Sequence, residues 1–186
     1  GRVIKKIPRY QQFRAVHKTI ERLKAGNTPK DKSGVIWHTQ GSGKSLTMVF
    51  LTVKIRRDPE LKGYKLVFLT DRKQLDAQLT TTFSHAQNET VHHADSVESL
   101  KKLLASDSSD IVTAMVQKFQ ERTDKFEFPV LNESHKIIVL ADEAHRTQYG
   151  ALGAAINTAI PNAPRIAFTG TPLIKTQKTA NAFGSY

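Results

Sequence analysis

The sequence contains no cysteine. Disulfides, iron-sulfur clusters and thiol chemistry are therefore excluded. No apolar run approaches the roughly 20 residues that a membrane-spanning helix needs, and the start lacks the hydrophobic core of a secretory leader. A soluble, cytoplasmic protein with no membrane partner is expected. Internal repeats and low-complexity tracts are also lacking. Hydrophobic residues make up 39% and charged residues 24% of the chain, a balance that argues against disorder and fibrous architecture. A length of 186 residues suits one compact domain with a real core. The first residue is Gly1 rather than Met, which suggests a segment of something larger.

Charge is unevenly spread. The 28 basic and 17 acidic residues give a net charge of +11. Ten Lys or Arg face only Glu21 and Asp31 in residues 2–32, whereas residues 74–133 hold ten carboxylates against five bases. This asymmetry fits a polyanion-binding face, although any one of Lys18, Arg22 and Lys24 taken singly is better read as the wet side of a helix.

Periodicity sets out alternating elements. Phe13, Val16, Ile20 and Leu23 keep helical spacing, and Gly26-Asn27-Thr28-Pro29 stops that helix. Val35-Ile36-Trp37 reads as a buried strand, followed by a glycine-rich turn and a helix over about 44–57. Residues 66–69, 111–115, 137–140 and 165–168 are further strands. A helix from Arg72 buries Leu75 and Leu79, and 97–105 and 151–159 are also helical. Five near-continuously apolar strands separated by helices predict an α/β fold with a mostly parallel sheet covered on both faces. Ligands of such sheets bind beyond the carboxyl ends of the strands. Residues 175–186 are polar, have no periodic core face and read as a tail leading out of the domain.

Between the first strand and its helix lies His38-Thr39-Gln40-Gly41-Ser42-Gly43-Lys44-Ser45. Glycines let consecutive backbone N–H groups close around phosphate oxygens, the helix N-terminus adds its positive end, and a lysine reaches the outer phosphates. Ser45 supplies a hydroxyl for Mg²⁺. His38 stands where the usual pattern has its first glycine, but the nest itself is made by residues 41–44. A flexible Gly-Ser-Gly linker does not fit a position between a buried strand and an amphipathic helix.

The strand at 137–140 runs through Ala141 into Asp142-Glu143-Ala144-His145. A carboxylate at the end of a strand beside a phosphate loop is placed to hold Mg²⁺, and Glu143 to orient and deprotonate an attacking water. An Asp-Glu pair alone is more often a solvated helix start; the upstream loop makes the combination specific. His92, His93 and His135 have no ligand-type spacing to His145, so zinc is not expected. His145 reads as a polar relay, and His92-His93 as an exposed surface pair.

Gly41-Ser42-Gly43-Lys44-Ser45, Asp142-Glu143-Ala144-His145 and Thr169-Gly170-Thr171-Pro172 together resemble motifs I, II and III of superfamily 2 helicases. The chain looks most like the motor region of the restriction (R) subunit of type I restriction-modification enzymes. Supporting stretches are Arg9-Tyr10-Gln11-Gln12-Phe13-Arg14-Ala15-Val16, Thr70-Asp71-Arg72-Lys73-Gln74-Leu75-Asp76-Ala77-Gln78, Val116-Gln117-Lys118-Phe119 and His145-Arg146-Thr147-Gln148-Tyr149-Gly150.

The resemblance implies a RecA-like P-loop domain over residues 1–174 that uses ATP and Mg²⁺ and couples hydrolysis to translocation along double-stranded DNA. It implies that Arg9 and Gln12 lie in the motif that reads adenine, where an amide both donates and accepts. Gly41, Ser42, Gly43, Lys44 and Ser45 hold phosphates, Ser45 and Asp142 the metal, and Lys44 and Glu143 act in catalysis. His145, Thr169 and Thr171 link nucleotide state to domain movement, and Thr70, Arg72 and Gln117 track the DNA strand. Phe13 and Tyr10 fit core packing equally well. Partners implied are the methyltransferase and specificity subunits, together with a second motor domain and a nuclease domain of the same full-length chain, in a bacterial or archaeal cytoplasm. Without the second domain's arginine the chain alone is expected to be inactive. The alternatives are another superfamily 2 DNA or RNA helicase, from which Thr169-Gly170-Thr171-Pro172 points toward DNA, or a nucleotide-sensing docking module.

Overall fold

In a computed structural model that describes residues 7–39, 41–70, 73–83, 90–116, 128–142 and 147–170, with the side chains of 73, 74, 76 and 147–151 left aside, strands and helices alternate. The strands are β1 (Gly34–Trp37), β2 (Lys65–Thr70), β3 (Val91–Ala94), β4 (Ile111–Met115), β5 (Ile137–Asp142) and β6 (Arg165–Thr169). The helices are α1 (Tyr10–Ala25), the short α2 (Pro29–Lys32), α3 (Lys44–Arg57), α4 (Lys73–Phe83), α5 (Val97–Ala105) and α6 (Thr147–Ala159). One six-stranded sheet runs β1-β6-β5-β2-β4-β3, and every pairing is parallel.

Strand side chains alternate between two faces, and each face has its own core. Leu66, Phe68, Ile138, Leu140, Ile166 and Phe168 pack with α1, α3 and α4 through Ile20, Leu51, Ile55, Leu75 and Leu79. Val67, Leu69, Val112, Val139, Ala141 and Ala167 pack with α5 and α6 through Leu100, Leu104, Leu152 and Ile156. Burial on both faces explains why β2 and β5 are buried along their whole length. Among the described residues no helix is long and apolar enough to cross a membrane.

Several expectations need correction. The sheet has a sixth strand, β3, whose two histidines hide the usual apolar signature. It lies at the sheet edge, where His92 Nε2 meets Asp110 Oδ2 at 3.1 Å and His93 Nδ1 meets Thr113 Oγ1 at 2.9 Å. His93 is exposed and the His92 side chain is 38% exposed, so the pair lies at the surface as expected while being tied to β4 and its lead-in. The buried stripe of α1 is Gln12, Val16, Thr19, Ile20 and Leu23. Phe13 is 51% exposed and lies against the His17 ring at 4.1 Å, and Tyr10 is also exposed, so neither is core. Within the described residues β1 pairs only with β6 and is not buried throughout: Trp37 is 54% exposed. α6 starts four residues before the expected 151.

β2 begins with a buried Lys65, one residue ahead of the expected strand. Its ammonium donates to the carbonyls of Leu103 and Ser106 and to Ser106 Oγ at 2.8 Å. A cation thereby satisfies carbonyls at the C-terminal end of α5, where the helix dipole favours it. Burial lowers its pKa, partly offset by Asp110 and Asp107.

Candidate functional site

Three strands deliver the site at their carboxyl ends, as parallel sheets favour. β1 leads into His38 and the loop, β5 ends in Asp142, and β6, lying between them, ends in Thr169. The His38 backbone N–H donates to Thr169 O at 2.8 Å, fastening the start of the loop to β6. Trp37 Nε1 donates to Gly170 O at 3.4 Å, a second link to the same exit.

The loop turns on two left-handed glycines. Gly41 has φ 76° and Gly43 φ 85°, a conformation that a residue with Cβ resists. Gly43 is also the N-cap of α3, so the first-turn N–H groups, which lie ahead of the intrahelical ladder, open onto the loop. A Cβ on Gly43 would meet Gln12 Nε2 at 2.6 Å, whereas one on Gly41 would meet nothing within 4 Å. Both glycines are favoured by φ, and a Cβ on Gly43 would in addition have to displace the Gln12 amide.

Gln12 is buried and braces this turn. Its Nε2 donates to Gly43 O at 3.1 Å and Ser42 O at 3.4 Å, while its Oε1 accepts from the Arg9 backbone N–H at 2.9 Å. As placed, the amide ties α1 to the loop. Arg9 itself is exposed.

At the base of the loop, Lys44 Nζ lies 2.9 Å from Asp142 Oδ1, with side-chain exposures of 8% and 0%. Two residues almost a hundred positions apart are joined across β6 as a buried ion pair. Ser45, next along α3, is half-buried. Such a pair fits an Mg²⁺-bound phosphate chain: the cation is aimed where phosphates sit on a helix N-terminus, and the carboxylate can accept a divalent ion's charge.

His38 is a member that the sequence flagged only as a departure from pattern. It is 6% exposed, and its Nδ1 lies 2.9 Å from Ser42 Oγ. Burial, and then the Lys44 charge, hold its pKa below the ordinary value. A histidine four residues before a loop serine was the available signal.

The remaining sites divide clearly. Thr169 is wholly buried at the end of β6. Thr70 is likewise 0% exposed at the end of β2. Glu143, His145, Thr171, Arg72 and Gln117 lie outside the described residues. In the basic opening segment, Lys24 is engaged by Asp58 at 3.3 Å and Glu60 at 2.5 Å, and Arg22 Nε donates to Asp31 O at 2.9 Å. Arg14, Lys18 and Lys30 are exposed.

A sequence model of the SWI2/SNF2 ATPase family matches residues 11–186. The chain is 42% identical to the type I restriction enzyme MjaIXP endonuclease subunit of Methanocaldococcus jannaschii, over 97% of this chain and 18% of that protein. It is 37% identical to the type I restriction enzyme HindI endonuclease subunit of Haemophilus influenzae, over 100% of this chain and 19% of the relative. Its fold is similar to that of a nuclease-deletion mutant of the type ISP restriction-modification enzyme LlaGI in complex with a DNA substrate mimic, with a TM-score of 0.58 at 18% identity, over 97% of this chain and 19% of that one. The chain spans about a fifth of the length of the curated relatives it matches.

Proposed function

Because the chain belongs to the SWI2/SNF2 ATPase family, we propose that it binds Mg²⁺-ATP on the loop of residues 41–45 and serves as the first motor domain of the R subunit of a type I restriction enzyme. The observation that carries this reading is the buried Lys44–Asp142 pair directly beneath a loop turned by two left-handed glycines. The 2.9 Å ion pair between a helix start and a distant strand end supports this reading, because phosphoryl transfer calls for a cation and a carboxylate close together.

The backbone N–H groups at the start of α3 receive the phosphates, and Lys44 turns from the Asp142 carboxylate to a phosphate oxygen. Asp142 and Ser45 are the residues that would hold Mg²⁺. When bound, the ion neutralises charge on the phosphate oxygens. Glu143, one residue beyond Asp142, orients the attacking water and takes its proton. Gln12 reads adenine only by releasing Gly43, so base recognition and loop geometry are linked through one amide. Thr169 at the end of β6, with Thr171 and His145, passes the state of the nucleotide to the second motor domain.

Double-stranded DNA is the polymer moved. The exposed bases of α1, with Arg72 and Lys73, supply sequence-independent phosphate contacts. The second motor domain, the nuclease domain, and the methyltransferase and specificity subunits complete a cytoplasmic assembly. The test is ATP turnover by the full-length subunit in its complex, with and without duplex DNA. Turnover should rise with DNA, and Glu143→Gln should bind ATP yet neither hydrolyse it nor translocate. Turnover indifferent to DNA would contradict the motor role, and normal turnover by the variant would contradict the role of Glu143.

A further inference from the structure

Each polar group of Ser42 meets a partner among the described residues, and only the hydroxyl leaves open where its proton points. Its backbone N–H donates to Thr39 O at 3.1 Å, its carbonyl accepts from Gln12 Nε2 at 3.4 Å, and its Oγ lies 2.9 Å from His38 Nδ1. What the residue can still offer a ligand is therefore its hydroxyl, and the outcome depends on which atom of the His38–Ser42 contact carries the proton.

His38 settles that question by its burial. It is 6% exposed, and its Nε2 has no hydrogen-bond partner among the described residues. Orphaned buried N–H groups are rarer in proteins than under-satisfied buried acceptors, so we place the proton on Nδ1 and leave Nε2 bare. The imidazole stays neutral, because burial and the Lys44 charge both disfavour a second proton. His38 Nδ1–H then donates to Ser42 Oγ, and the Ser42 proton, barred from the imidazole, turns outward. Burial at 6% exposure limits the rotation of the ring, and the 2.8 Å bond from His38 N to Thr169 O fixes the backbone from which it extends.

We propose that His38 is a positioning residue that sets the Ser42 hydroxyl as a donor to an oxygen of the nucleotide's phosphate chain. Ser42 adds a side-chain donor to a loop whose other donors are backbone N–H groups and Lys44. The inference rests on the nucleotide reading above and deepens it. A hydroxyl donating to a charged oxygen is worth enough to matter, on the order of a tenfold change in affinity.

The test measures Mg²⁺-ATP affinity of the full-length subunit by calorimetry, with melting temperature recorded for each variant. Ser42→Ala and His38→Ala should each weaken binding about tenfold. The double variant should be no weaker than either single one, because both remove the same donor. His38→Asn, whose amide N–H can stand where Nδ1–H does, should restore affinity. His38→Gln, whose amide reaches the Nε2 position instead, should not. Should His38→Ala fail to fold, the Asn and Gln variants decide between them. A role confined to packing would move the melting temperature without this rescue pattern. Unchanged affinity in His38→Ala, equal affinity in the Asn and Gln variants, or additive losses in the double variant would overturn the inference. No binding by the wild type would overturn the nucleotide reading and the inference with it.

Discussion

Consider the removal of Lys44 when no nucleotide is present. Its ammonium sits 2.9 Å from an Asp142 carboxylate that is completely buried. At an effective dielectric near 20 the gross attraction at that distance is about 6 kcal/mol, most of it offset by the desolvation of both ions. Lys44→Ala deletes the attraction and leaves the desolvated carboxylate in place, so the loss in stability should be about 3 kcal/mol. Asp142→Asn leaves the ammonium instead and should also destabilise. The combined Lys44→Met, Asp142→Leu variant has no buried charge to satisfy and should recover at least half of the loss. Urea denaturation of this 186-residue chain at pH 7, followed by circular dichroism, gives the three values. Stability of Lys44→Ala within about 0.5 kcal/mol of wild type, the scatter of ordinary surface substitutions, would refute the buried-pair reasoning. So would a combined variant no more stable than Lys44→Ala.

Gly43→Ala should lose more than Gly41→Ala in the same denaturation assay. Both carry left-handed strain of roughly 1–2 kcal/mol, but only at Gly43 does the new methyl meet Gln12, at 2.6 Å. His38 should give a slope in stability against pH: its folded pKa lies below the ordinary 6.5, so between those values the unfolded chain binds more protons. Stability should therefore fall as pH drops below 6.5, and His38→Asn should flatten that part of the curve. Lys65→Met should cost about 2 kcal/mol in urea denaturation, because the carbonyls of Leu103 and Ser106 lose a buried donor.

The interior strands were legible in the sequence because burial on both faces leaves little room for polar residues. Leu66 to Leu69 and Ile137 to Leu140 could hardly be anything else. Edge strands obey no such demand. β3 spends two of its four residues on histidines that bond sideways to Asp110 and Thr113, and apolar pattern alone does not find it. Helix α1 misled for a related reason. A polar Gln12 is buried because the loop carbonyls satisfy it, and an apolar Phe13 is exposed one position on. The glycine-turned loop after β1 and the carboxylate at the end of β5 were readable because both lie in motifs of fixed residue type and spacing. The use of Gln12 as a brace, and the fastening of His38 to Ser42 and Thr169, were not, since each joins residues through the fold.

The most direct measurement is calorimetric titration of Mg²⁺-ATP into the wild-type chain and into Lys44→Ala, each first shown to be folded by circular dichroism. Lys44 contributes a charge-assisted contact to the phosphates, so the wild type should bind and the variant should lose at least about tenfold in affinity. Equal affinities in two folded proteins, or no binding by the wild type, would contradict nucleotide binding on the loop of residues 41–45.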